Sequence, residues 1–415
     1  MSLPIVVLPN EEKWDCHRCG ICCRGSIIPL SDQDLAKLRS QKWEEHPEYR
    51  HTPIYVRHRD SSKPYQLAKR SDGACVFLDE QGLCRIHSEF GCDAKPTVCR
   101  VFPLQLIPRD KQVVLTTRRA CPSSAADLGQ SLQGHLPLIK QLVREGSLSA
   151  ESIAAPALKA GERRDWKMIH VALETIARLL NDQRYPPVRR LVHALQFANL
   201  LERARTKRMD DQKLAELIHT LEEVVVEESK FVFAERRPPK WYARVFFRQM
   251  AVECARLHPQ FQPRSSWSER LNLTRTALRV ARGRGPTPFL HPPFPSSSFA
   301  DLEKPLGPVL PAIDSPLTRL IESSSASYLY ALADRRGWSV IDSLRGLSVL
   351  FPVGLWLLRW VSYGREPQVQ DMVNIVVALD RSQGYRSLAG SIHRGRLTIL
   401  SASGELERLV AWYAQ

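Results

Sequence analysis

Cys16-His-Arg-Cys-Gly-Ile-Cys-Cys23 puts four thiols within eight residues. Five more follow at Cys75, Cys84, Cys92, Cys99 and Cys121, and the rest of the 415-residue chain holds only Cys254. A set so concentrated is a chelating pattern rather than a packing pattern. Cys-x2-Cys-x2-Cys lets three sulfurs wrap one metal, or one face of a cubane, from a single backbone turn. A fourth ligand has to come from elsewhere. Cys23 adjoins Cys22 and does not readily share its geometry, so it is expected to turn to a second centre or a second metal atom. Counting Cys16, Cys19, Cys22, Cys23, Cys75, Cys84, Cys99 and Cys121 gives eight candidate metal ligands. Eight thiolates close two four-sulfur sites, or one site with spare thiols. Zinc takes four thiolates in a tetrahedron and iron–sulfur clusters also take four. The ferredoxin-like spacing sets a 4Fe–4S cluster ahead of zinc.

The flanking residues support this reading. Cys92, in Phe90-Gly-Cys-Asp, is expected as a small buried residue. His17 and His87 adjoin candidate ligands, but the thiol count already suffices, so both are expected in solvent or behind the ligands. Arg18, Arg24, Arg85 and Arg100 either offset thiolate charge or are simply exposed. Nine cysteines in the first domain do not fit complete disulfide pairing.

Working outward, Ser31 caps a helix whose first turn carries Asp32 and Asp34, with Leu35 and Leu38 facing inward. Residues 44–70 read as irregular with one or two short strands. Cys75-Val-Phe-Leu-Asp-Glu-Gln-Gly-Leu-Cys84 reads as a hairpin turning at 79–82, with Leu78 opposite Leu83 and Phe77 opposite Cys84. Pro96 opens a short helical turn and Pro103 closes it. Gln112–Thr117 reads as a strand leading to Cys121-Pro122.

Beyond about 128 the pattern is helical. Trp166, Ile169, Leu173, Ile176 and Leu180 repeat at helical spacing, as do Val188, Leu191, Leu195 and Ala198. Leu214, Leu217, Leu221 and Val224 form a third stripe. Ala243, Phe247, Met250, Cys254 and Leu257 form a fourth, which places Cys254 in a core and outside the site. Helices are also expected at roughly 315–335, 338–362 and 366–380, a strand at 397–400 and a last helix from Glu405. The fold class is α+β. Residues 1–127 form a small cysteine-rich domain with a short hairpin, 128–281 a basic helical domain, 282–311 a Pro/Ser-rich linker or loop, and 312–415 a mainly helical region.

The net charge of +15 is unevenly spread. Residues 1–128 carry 19 Lys/Arg against 16 Asp/Glu (+3), residues 129–285 carry 28 against 17 (+11), and the remainder is +1 by difference. The basic surplus lies in the middle helices, where solvated helix faces account for it. An acidic protein substrate would suit it as a partner. Nucleic acid ranks lowest, because basic and aromatic residues are not interleaved as in a binding module. Met1–Pro9 has no basic segment, and no run reaches the roughly 18 apolar residues of a transmembrane span. Leu347–Leu358, broken by Pro352, is expected as a buried helix. A reducing cytoplasm is the expected compartment, where thiolates bind metal rather than pair.

At these residues a resemblance becomes specific. Cys-x2-Cys-x2-Cys-Cys, Gly-Ala-Cys75-Val-Phe-Leu, Gly-Leu-Cys84-Arg-Ile-His, Lys-Pro-x2-Cys99-Arg-x-Phe-Pro and Cys121-Pro, in that order, resemble the YkgJ-type CxxCxxCC cysteine-cluster family of zinc- or iron-chelating domains. The resemblance covers about residues 14–125, carries the same eight cysteines, leaves Cys92 outside, and departs mildly at Lys95, where the family has Arg. It implies metal binding. The family includes relatives of flagellin lysine-N-methylase, which implies an alternative: a cluster-dependent protein lysine N-methyltransferase using S-adenosylmethionine. Against that, no Gly-x-Gly methyl-donor loop follows a strand.

Overall fold

The computed structural model describes residues 2–9, 12–24, 26–57, 64–235, 237–259, 276, 278–288, 293–304, 307, 309–333, 337–384 and 390–414. The α+β reading holds. A small strand-containing region comes first and helices follow.

In the first region the local signals act as written. Ser31 caps the helix Asp32–Ser40 and Asp34 reciprocates, so the two form a capping box. Leu35 and Leu38 are buried beneath it. Asp34 does more than cap. One carboxylate oxygen accepts from the Ser31 N–H (3.0 Å) and hydroxyl (2.8 Å), and the other accepts from the Thr97 N–H (2.8 Å) and hydroxyl (3.1 Å). Thr97 begins the short helix Thr97–Val101 that carries Cys99, with Pro96 just before it. One buried carboxylate thus joins the first helix to a cysteine-bearing turn. Trp43, fully buried, packs its ring against Tyr49, Phe77, Phe90 and His46 and forms the centre of this core.

Gln112–Thr117 is a strand, with Ile5–Val7 parallel to one edge and Leu104–Arg109 antiparallel to the other. Glu12 is buried against this sheet. It accepts from the hydroxyls of Thr116 and Thr117 (both 2.7 Å) and pairs with Arg119 at 3.4 Å. A second sheet orders Pro29–Leu30, Tyr65–Leu67 and Tyr55–Arg57, all antiparallel. These supply the short strands expected within 44–70.

The helices from Trp166 to Tyr413 share one apolar core. The first two stripes and the fourth fall on buried faces, with Cys254 fully enclosed. The third differs. Leu214, Ile218 and Val225 are buried, whereas Val224 is 40% exposed. Spacings of four and seven follow the 3.6-residue period more closely than the 3-4-3 series. Leu397–Leu400, expected as a strand, lies in the helix Ser391–Ala402 with both leucines buried on one face. Within the stretch 282–311, read as a linker or loop, Phe294, Phe299 and Leu302 enter the helical core, and the Trp360 indole donates to the Pro295 carbonyl at 3.0 Å. Residues 289–292, 305, 306 and 308 of that stretch lie outside the described residues. Among the described residues, only Val340–Val361 is long and apolar enough to cross a bilayer, and it lies wholly inside the core.

Removing Asp34 breaks two connections at once. We expect Asp34→Ala to cost about 3 kcal/mol, because charged hydrogen bonds are lost and their buried donors stranded. Ser31→Ala should cost about 1 kcal/mol, the ordinary price of a lost cap. Urea unfolding of the two variants measures both. Equal losses would show that the Asp34–Thr97 bridge contributes nothing.

Candidate metal centre

Four chain segments bring the eight cysteines into one region. The first runs from Cys16 to Cys23 and ends in the turn Ile21–Cys23, which follows Gly20 at φ +67. A Cβ on Gly20 would stand 2.9 Å from the Gly82 carbonyl oxygen, so glycine is required where this loop meets the turn at 79–82. The second segment, Cys75 to Cys84, is tied to the first by the Cys75 N–H, which donates to the Cys23 carbonyl at 2.7 Å. It turns at 79–82 as expected, through the Gly82 N–H to Asp79 carbonyl bond at 3.2 Å. The pairing is one residue off the expected register. Leu78 lies opposite Cys84 as a single bridge and the strands do not extend, because the Asp79 carboxylate draws in the Leu83 N–H at 2.7 Å and tightens the turn. The third segment is the helix Thr97–Val101 with Cys99, and the fourth is Cys121, which precedes the helix Pro122–Ala125.

The thiols fall into two neighbourhoods. Cys75, Cys84 and Cys99 pack on the Trp43 core. Cys121 packs instead on the core of Trp14, Val101 and Leu115. The thiols also act on one another as charges, with Cys22 a neighbour of both groups. Burial pushes Cys99 well above the ordinary thiol value, and Cys75, Cys22 and Cys84 push it further as like charges. Cys75 is raised to about 11 by burial, with Cys84 and Cys22 adding to it. Cys84 is raised by burial, with Cys22 again among its neighbours. Cys22 is raised chiefly by its contact with Cys23, then by burial. On the other side, burial raises Cys19, with Cys22 and Cys16 as like-charge neighbours, and raises Cys121 to about 11, with Cys19 as its like-charge neighbour.

Backbone amides counter this. The N–H groups of Ile21, Phe77, His87 and Ser124 favour the thiolates of Cys19, Cys75, Cys84 and Cys121 respectively. Each lies two or three residues beyond its cysteine, the arrangement that surrounds thiolate ligands of metals and clusters.

Other expectations need correction. The Cys22 and Cys23 sulfurs are 3.9 Å apart, so a second centre or second metal atom served by Cys23 adjoins the first. The tight turn Ile21–Cys23 leaves both on one side. Cys92 is exposed rather than buried, because the turn Cys92–Ala94 stands proud of the core. Arg85 and Arg100 are engaged by carboxylates, Glu48 at 2.9 Å and Asp93 at 2.6 Å. The cations that act on the thiols are Lys95, which lowers Cys22, Cys84 and Cys99, and Arg70, which lowers Cys75. His17 and His87 are exposed. Among the described residues, no three Cys, His, Asp or Glu side chains are gathered tightly enough to hold an ion as they stand. The donor chemistry nevertheless fits zinc or iron: the groups facing one another are thiols, soft ligands that select these metals over calcium or magnesium.

An uncharacterized protein of Methanocaldococcus jannaschii is 32% identical over 111 residues, which make up 26% of this chain and 36% of that protein. The chain therefore spans about a third of that relative's length. No solved structure matches it. Residues 15–122, the segment that holds all eight cysteines, match the model of the CxxCxxCC family, a "Putative zinc- or iron-chelating domain".

Proposed function

We propose that this segment holds metal in two adjoining four-thiolate centres. The inner centre uses Cys22, Cys75, Cys84 and Cys99. The outer uses Cys16, Cys19, Cys121 and, by elimination, Cys23. One observation carries this reading: Cys99 faces Cys75, Cys22 and Cys84, and these thiols arrive from separate segments of the chain. Four half-buried thiols brought together across 78 residues of sequence (22 to 99) have no packing purpose that apolar residues would not serve better. With Cys22 and Cys23 side by side at the seam, each centre receives one of the adjacent pair.

The occupant we propose is a 4Fe–4S cluster, on the strength of the Cys16–Cys19–Cys22 spacing. Such a cluster supplies one-electron transfer when bound. The chain's own residues supply the rest. The amides of Phe77 and His87 stabilise thiolate over thiol, Lys95 offsets the negative charge of the inner set, and the Trp43 core keeps water from one side of it.

Anaerobic purification with metal and acid-labile sulfide analysis tests the occupant. We expect a brown protein with iron and sulfide, and roughly half of both lost in Cys99→Ser. A colourless protein with stoichiometric zinc would overturn the cluster. A metal-free, folded protein would overturn metal binding altogether.

The raised thiol values give a second outcome. Burial keeps Cys75, Cys84, Cys99 and Cys121 protonated at neutral pH, so a metal has to displace protons. Adding zinc to metal-free protein at pH 7.5 should release about four protons per centre. Apparent affinity should fall steeply as the pH is lowered. Calorimetry in buffers of different ionisation enthalpy measures the release, and a value near zero would mean that thiolates are not the ligands.

A further inference from the structure

The last turn of the helix Val369–Gly384 meets the cysteine-bearing region at two points, through two consecutive residues. Asp380 is 4% exposed and accepts from the Ala120 N–H at 2.8 Å, immediately before Cys121. It also accepts from Arg118 Nε at 2.9 and 3.2 Å, and its carbonyl accepts from the same guanidinium at 2.9 Å. Arg381, next in the chain, donates to the Ile21 carbonyl at 3.2 Å, immediately before Cys22. The chain separations are 260 residues on one side and 360 on the other. The turn that carries the two residues is itself fixed in the helical core. The Ser382 hydroxyl bonds the Leu379 carbonyl at 2.6 Å and lies against the enclosed Cys254 thiol of the helix Trp241–Ala255.

We infer that Asp380 and Arg381 are positioning residues for the outer centre: a two-pronged brace that fixes the Cys121 segment relative to the Cys16–Cys23 loop. The inference rests on the two-centre reading above. Its physical content is a difference in support. Cys75, Cys84 and Cys99 sit on the Trp43 core, which the cysteine-rich segment builds from its own residues between Leu30 and Ile86. Cys121 lies on a separate core. The Cys121 segment and the loop are both gripped by neighbouring side chains of one helix turn. The Cys121 segment of the outer centre is therefore held against the helical bundle, while three of the four inner thiols, Cys75, Cys84 and Cys99, stand on the domain's own core. Because coupling between two sites is reciprocal, metal in the outer centre also stabilises the last turn of that helix.

Arg381→Met and Asp380→Asn test this in the full-length metal-loaded protein. Arg381 is only partly buried, so its loss should leave the fold intact. Asn at 380 keeps an acceptor for the Ala120 N–H and removes the charge that holds Arg118. Metal release to a coloured chelator should be biphasic in the parent protein, and Cys121→Ser identifies the outer phase by abolishing it. We expect Arg381→Met to speed the outer phase at least ten-fold and the inner phase less than three-fold. Asp380→Asn should act in the same direction, and Arg381→Lys should restore part of the loss. Unchanged release, or equal acceleration of both phases, would overturn the brace, since a general loss of stability would move both.

A single release phase in the parent protein would count against the two-centre reading itself. The brace is then judged by hydrogen exchange alone. Amides of Leu379–Ser382 should exchange at least ten-fold faster once the metal is removed, and no change would overturn it.

Discussion

The withdrawal of several thiols from water beside one another is the constraint on which the cysteine-rich region depends. Burial raises the proton affinity of Cys75, Cys84 and Cys99, like charge from neighbouring thiols raises it further, and Cys22 is raised chiefly by Cys23. Without a cation the four can share a site only as neutral thiols. The nearby amides and Lys95 favour the ionised form but do not prevail, since the net direction at Cys22, Cys75, Cys84 and Cys99 remains upward. A divalent ion or a cluster reverses that balance, because it is the largest local charge in such a site. The same cation would tie together segments that share little apolar surface. The Trp43 core has ten buried residues, a modest foundation for so irregular a stretch of chain.

This dependence explains how the rest of the chain is attached. The cysteine-rich region is joined to the helices by Ala125, which enters the helical core, and by polar side chains reaching across. Arg118 and Ala120 meet Asp380, Ile21 meets Arg381, and Arg109 stacks 3.6 Å over the Tyr328 ring while donating to the Ala326 and Ser327 carbonyls. Such contacts are directional. They hold particular backbone atoms at fixed distances, whereas an apolar interface tolerates small slides. Where backbone positions must keep sulfurs in register, a directional joint is the suitable kind.

What could be read from the sequence follows the range of the forces involved. The Ser31 cap, the buried Leu35 and Leu38, the strand Gln112–Thr117 and the enclosed Cys254 each follow from neighbours within a few residues, and each is where the pattern puts it. The misplaced features are those decided at a distance. Asp34 looks like a dipole-compensating residue until Thr97, 63 residues away, takes its second oxygen. Lys95 rather than the adjacent arginines faces the thiols, because Glu48 and Asp93 occupy Arg85 and Arg100 first. The composition of 282–311 reads as a linker or loop; that Phe294 and Phe299 within it enter the helical core is set by distant partners that composition does not show.

The Cys22–Cys23 pair shows the same limit at the shortest range. Adjacent residues in an extended chain point to opposite faces, which is why a doublet suggests two centres lying apart. In this protein Gly20 turns the chain back at positive φ, the Cys23 N–H bonds the Gly20 carbonyl at 3.0 Å, and both sulfurs emerge on one side. Two centres served by this pair must therefore be neighbours across a single peptide unit, not separate sites at opposite ends of a domain. At that spacing the charge of one centre acts directly on the other. The backbone of the turn Ile21–Cys23 is held from two directions, by Cys75 from within the domain and by Arg381 from the helices.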